Sequence, residues 1–101
     1  MELIQILLPL RDNEGAAFPE HLLAEVLPEL SDRFGGSTAF TRSPAEGVWQ
    51  SEGAKHHDDI IVVEVMAAAL DRCWWKAYWE TLEKRFRQKE LIVRSQTIEV
   101  I

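Results

Sequence analysis

The sequence predicts an α+β sandwich in which two helices cover one face of a four-stranded antiparallel sheet, in the order βαββαβ. Two observations carry this. An apolar helical pattern occurs twice: Leu23, Leu27, Leu30 and Phe34 recur fifty-two positions later as Trp75, Trp79, Leu82 and Phe86. At about 100° per residue each set spans roughly 60° of arc, so each marks one face of an amphipathic helix. In addition, a β-rich segment precedes and follows each helix, which makes two βαβ halves. Right-handed crossovers then place both helices on the same side of the sheet, the ferredoxin-like arrangement. At 101 residues the chain is expected to be one domain, 1–101, with a single core.

The elements follow in order. Leu3 to Leu8 reads as a buried strand, apolar on both faces except at Gln5. Pro9 to Ala17 is a loop with Asp-Asn-Glu-Gly at 12–15 as its turn signal. Pro19 suits the first helical position and Glu20 the positive helix end. Pro28 removes one backbone bond and crowds the preceding turn, which predicts a kink near Ala24 to Leu27 or two short helices in line. Gly35 and Gly36 end the segment, because glycine accepts the left-handed cap conformation. Ser37 to Arg42 is a short alternating strand, Ser43 to Gly47 a turn, and Val48 to Gln50 a resumed strand before a polar turn at Ser51 to Lys55. Ile60 to Met66 is the best strand in the chain. The second helix is expected over about Ala68 to Lys89 and the fourth strand over Leu91 to Arg94, with room for a short fifth at Thr97 to Ile101.

Composition narrows the function. A net charge of −6 and a pI near 5.0 oppose nucleic-acid and anionic-lipid partners, since phosphates must be neutralised by Lys and Arg. No apolar run approaches the length that spans a bilayer, and the first ten residues carry Glu2 and Gln5 with no basic leader. The cytoplasm is the expected location. Cys73 is the only cysteine, so no internal disulfide forms.

The third strand raises the functional question. Ile61, Val63 and Val65 form one face and should meet the helices. Ile60, Val62, Glu64 and Met66 form the other, which is too apolar to be left in water. Burying half a dozen such side chains is worth on the order of 10 kcal/mol before association costs. Either a second copy covers the open face, as a homodimer, or the loop carrying Trp49 or the C-terminal tail folds over it. Glu64 must find a partner there. Gln5 and Arg94 occupy the polar positions of their strands and are able to share its face. The carboxylate is then either a polar pin that sets the dimer register, or an acid/base or anchoring group in a cleft.

Other candidates are weaker. In His56-His57-Asp58-Asp59 neighbours point opposite ways, so at most two share an ion, and no third ligand stands at a recognisable spacing. The run reads as a polar loop leading into the third strand; no metal is expected. Cys73 lies on the polar side of its helix with no base beside it. Trp74, Tyr78 and Arg85 form a stripe beside the core face that extends the core or a subunit contact, with a ligand platform as the alternative. Arg11, Arg42 and Arg94 converge on an anion only if their strand ends meet. No phosphate loop, nucleophile elbow or cofactor motif is present, and no cofactor is expected.

Arg33-Phe34-Gly35-Gly36-Ser37-Thr38, Gly47-Val48-Trp49, Glu64 and Phe86-Arg87-Gln88-Lys89-Glu90-Leu91 together resemble an uncharacterised family of small bacterial proteins that carry a domain of unknown function. The similarity runs from about Leu7 to Arg94. Leu82 departs from it where an aromatic is expected, and no secretion leader of the kind frequent in that family is expected here. The resemblance carries no activity; it implies that Trp49, Glu64 and Gln88 act together. The fold alone is also shared by small dimeric cofactor-independent monooxygenases and lactone isomerases, an analogy that transfers no activity.

Two functions remain. One is a non-catalytic dimeric module that binds a partner protein or a small molecule through the open face. The other is a small cofactor-independent enzyme, monooxygenase- or isomerase-like, with Glu64 as acid/base. In both, Trp49, Arg42, Arg94 and Gln5 are the candidate ligand contacts, and His57 is a second candidate catalytic group.

Overall fold

The computed structural model describes the backbone of residues 1–51 and 54–101 and the side chains of residues 1–39 and 60–101. The elements are β1 (Glu2–Pro9), α1 (Glu20–Phe34), β2 (Thr38–Ser51), β3 (Ala54–Ala67), α2 (Arg72–Arg85) and β4 (Ile92–Thr97). The strands pair antiparallel in the order β2-β3-β1-β4. The central strands β1 and β3 therefore come from different halves of the chain and lock them together. This is the βαββαβ ferredoxin-like order that the sequence predicts.

Strand alternation sorts the apolar residues as expected. Ile4, Ile6 and Leu8 of β1 and Ile61, Val63 and Val65 of β3 are buried beneath the helices. Trp75 and Leu82 of α2 and Phe86 just beyond it join them, with Leu30 from α1. The helices also bury Val26 and Tyr78, which the four-residue spacing left out. These two residues are themselves fifty-two apart, so both helices are rotated the same way from the predicted centre of their apolar arcs.

Four boundaries differ from the sequence reading, each for a local physical reason. Of the two alternatives that Pro28 offers, two short helices are excluded, because α1 is one helix across the proline: the proline is exposed, while Val26 and Leu30 on either side of it are fully buried and hold the adjoining turns. α2 starts at Arg72, not Ala68, because the Asp71 carboxylate accepts the Trp74 backbone N–H at 3.1 Å and caps the helix there. It stops at Arg85, where Arg87 turns into the left-handed region at φ 50° and the Gln88 N–H closes on the Glu83 carbonyl at 2.9 Å. β4 runs on to Thr97 and takes in the start of the expected fifth strand; only the Ile98 N–H, 2.9 Å from the Met1 carbonyl, continues the ladder.

The largest correction concerns residues 43–59. Ser43 to Gly47, expected to turn, continue β2, and the irregularity they create is a register shift between Phe40 and Ala45. A bulge on an edge strand is where a proline such as Pro44 is tolerated. His56 to Asp59, expected as a loop, belong to β3, with Val48 opposite His57 and Trp49 opposite His56. β1 pairs with β3 only from Ile60 onward. Residues 54–59 and their β2 partners thus form a two-stranded ribbon reaching roughly 20 Å past the sheet.

Candidate functional site

The side of the sheet turned away from the helices is organised in rows, because residues opposite one another in an antiparallel pair share a face. One row is polar across all four strands: Arg94 of β4 stands opposite Gln5 of β1, Gln5 opposite Glu64 of β3, and Glu64 opposite Thr38 of β2. The neighbouring rows are largely apolar. Leu3 faces Met66 on one side, and Ile92, Leu7 and Val62 line up on the other. Met66 and Ile92 are more than half exposed, at 52% and 54%.

Within the polar row the side chains are joined. Gln5 Nε2 donates to Glu64 Oε2 at 2.6 Å, and Arg94 Nε donates to Gln5 Oε1 at 2.9 Å. The orientation of the Gln5 amide follows from its neighbours, since a guanidinium only donates and a carboxylate only accepts. Gln5 therefore relays between a cation and an anion that do not touch. Glu64 Oε1 and the terminal nitrogens of Arg94 have no partner among the described residues. Three of the residues predicted to share this face, Gln5, Glu64 and Arg94, are brought together.

The rest of the predicted set is not gathered there. Arg11 lies beyond the end of β1, in an isolated bridge to Ala17, and its Nη1 donates to the Gly15 carbonyl at 3.1 Å. It does not converge with Arg94. Arg42, Trp49 and His57 fall in β2 and β3, and their side chains lie outside the described residues. Gln88, linked to Glu64 by the family resemblance, sits instead in the turn beyond α2 and donates to the Phe86 carbonyl at 3.1 Å. Cys73 is exposed. Among the described residues no three His, Cys, Asp or Glu side chains come together as a metal ion would need, and no helix is long and apolar enough to cross a membrane.

The stripe beside the core proves to be a weld between the helices. Trp74 and Tyr78 stack with ring centroids 4.9 Å apart, and the Arg33 guanidinium lies 5.2 Å from the Trp74 ring centre. Arg85 grips Glu29 of α1 with both terminal nitrogens, one at 3.0 Å, and the Tyr78 hydroxyl donates to the same carboxylate at 3.4 Å. The Arg85 hydrogen bond holds Glu29 below the usual carboxylate range, against a smaller opposing effect of burial. Burial, followed by the negative charge of Glu29, pushes the Tyr78 phenol above its ordinary value. Sequence reasoning placed Tyr78 and Arg85 in one stripe but missed Glu29, whose only local signal is a carboxylate one residue before the buried Leu30.

A cleft of about 530 Å³ opens between α2 and β4, lined by residues of both including Trp75, Trp79, Val93 and Arg94. Glu64 is not part of its wall; Arg94 is the one member of the polar row that reaches it. This cleft lies on the helix side of the edge strand, apart from the Glu64 carboxylate.

No protein-family model matches the chain and no curated protein matches it, which is consistent with the resemblance to an uncharacterised family. Solved structures do resemble it. A phage SAM lyase in complex with S-methyl-5′-thioadenosine superposes with a TM-score of 0.63 at 14% identity, over 94% of this chain and 79% of the lyase chain. A phage SAM lyase in the apo state gives 0.64 at 16% identity, over 94% and 78%. At these identities the likeness is one of fold, and it places the chain in an α+β architecture that phage SAM lyases also use.

Proposed function

We propose that this chain is a self-associating small-ligand-binding module whose recognition element is the row Arg94–Gln5–Glu64 on the open sheet face. The observation that carries the reading is the Glu64 carboxylate itself: half-buried, held at one oxygen by Gln5, and set between apolar rows. A carboxylate in such surroundings favours a cation that bears apolar groups, because the charge is paired while the substituents leave water. A sulfonium nucleoside has that chemistry, and the structural likeness to a phage SAM lyase makes SAM the first ligand to test. Self-association covers the apolar rows. The tail does not cover them, since Val100 and Ile101 are exposed, and Trp49 lies in a strand of the projecting ribbon rather than in a loop.

The second reading is a small enzyme acting on the same ligand class, with Glu64 as acid/base or cation-stabilising group and His57 as a further candidate. One experiment separates the two. SAM and S-methyl-5′-thioadenosine are titrated calorimetrically into the wild type and Glu64→Gln, and the SAM samples are then analysed for conversion. Binding of SAM that weakens in Glu64→Gln, with SAM recovered intact, supports the module. Release of S-methyl-5′-thioadenosine by wild type and not by the variant supports the enzyme. Absence of binding by either compound removes this ligand class. Sedimentation at micromolar concentration tests the assembly, and a monomer there defeats that part.

A further inference from the structure

We propose that the cleft between α2 and β4 binds an amphiphilic anion, an apolar body carrying one carboxylate or phosphate, at a site that meets the Glu64 row only at Arg94. Its volume, about 530 Å³, lies within the range of small-molecule sites. The floor is apolar: Ile4, Leu70, Trp75, Trp79, Leu91 and Val93. Trp79 Nε1 donates to the Leu91 carbonyl and so ties the helix to the start of β4, holding the walls at a set distance.

The rim is where the charge lies. Arg72 and Lys76 line the cleft from α2 and no carboxylate lines it, in a chain with 17 acidic and 11 basic residues. Arg72 and Lys76 are one helical turn apart, a like-charge spacing that is unfavourable in a helix. Neither has an ion-pair or hydrogen-bond partner among the described residues. Arg72 is also the first residue of α2, where the helix dipole disfavours a cation. An anion on this rim relieves all three conflicts, and an apolar body attached to it fills the floor beneath.

The position of the floor selects a small molecule over an added peptide strand. Ile4, Trp75 and Trp79 lie between the sheet and the helix layer, whereas a strand joining the β4 edge would lie in the plane of the sheet.

The test uses the intact chain and four probes with the same eight-carbon tail: octanoate, octyl phosphate, octanol and octyltrimethylammonium. Binding is followed by tryptophan fluorescence and by the indole N–H resonances of Trp75 and Trp79. The two anions are expected to saturate and to move both resonances, with octanol weaker and the cation silent. In the double variant Arg72→Ala/Lys76→Ala, octanoate affinity is expected to fall roughly tenfold. Both positions are exposed, so the variant keeps its fold, which thermal melting verifies. Saturating SAM is expected to leave octanoate affinity unchanged, so the open-face reading fails or survives independently. The proposal is overturned if the double variant retains full octanoate affinity, if the cationic probe binds as well as the anions, or if the Trp75 and Trp79 resonances stay fixed.

Discussion

Gln5 donates to Glu64 at 2.6 Å while accepting from Arg94 at 2.9 Å, so one neutral amide holds a cation and an anion in line without letting them meet. The chain is able to do this because the three residues are direct register partners on adjacent strands. Gln5→Leu keeps the volume and removes both bonds. It leaves the half-buried Glu64 carboxylate without its donor, and water replaces that donor only in part. The expected loss is about 1–2 kcal/mol in urea unfolding. Adding Glu64→Leu should recover most of it, because the stranded charge is then gone. If the single variant is as stable as the wild type, the relay has no energetic role.

The same row shows why part of the site is legible in sequence. Gln5 and Glu64 each interrupt an apolar strand and Arg94 ends the apolar run of β4, and alternation alone predicts the face each one takes. Which residues stand opposite one another is a matter of register, and register depends on pairings across the whole sheet. Thr38, the fourth member of the row, gives no such signal, because its strand begins just where the chain leaves Gly36. The stretch from Ser43 to Gly47 misleads for the complementary reason: its turn-forming residues are overridden by pairing with β3. The cleft beside α2 is invisible in one dimension, being made by the separation of a helix and a strand that meet only in space.

Glu29 and Arg85 make stability depend on pH in the acid range. Arg85 holds the folded-state value of Glu29 below 4.5. That stability is fully present above the unfolded value and is lost as pH falls through the folded one. Both partners reach solvent, Glu29 with 40% of its side chain exposed, so the contribution is about half a kcal/mol. Arg85→Met should flatten the corresponding limb of the stability profile below pH about 4.5. An unchanged limb would assign acid unfolding to other carboxylates.

Tyr78 acts in the opposite direction at the alkaline end. Its folded-state value is raised, first by burial and next by Glu29. The associated stability is whole below the unfolded phenol value of about 10 and declines as pH rises toward the folded one. Glu29→Gln removes the neighbouring charge, so phenolate absorbance should develop at lower pH in that variant than in the wild type. Identical titration curves would mean that burial alone sets the shift.

Self-association through the open face should be sensitive to charge at its apolar rows and insensitive to charge on the helix layer. Met66 and Ile92 are already half in water, so Met66→Glu and Ile92→Lys add a charge at little cost to the folded monomer. Each is expected to weaken association at least about tenfold in sedimentation, since a buried unpaired charge must be desolvated in the interface. Glu80→Lys, exposed on α2, is expected to leave it unchanged. Equal effects from all three would locate the contact elsewhere.

The two helix ends make a paired prediction in which only backbone conformation differs. α1 ends on Gly35 at φ 80°, whereas α2 is followed by Arg87 at φ 50°. A Cβ at Gly35 meets nothing within 4 Å, so Gly35→Ala suffers conformational strain alone, about 1 kcal/mol. Gly36 has equal space and no positive φ; Gly36→Ala should be neutral or slightly stabilising, because alanine narrows the unfolded ensemble. At the other helix, Arg87→Gly relieves the strain that Gly35 avoids and gives up a loose contact with Asp12 at 3.9 Å, in which the arginine is 73% exposed. That contact is worth little, so the variant is expected to gain up to about 1 kcal/mol. Thermal unfolding of the three variants checks the order Arg87→Gly above Gly36→Ala above Gly35→Ala. A reversal at either end would show that Arg87 is kept for its side chain rather than tolerated for its backbone.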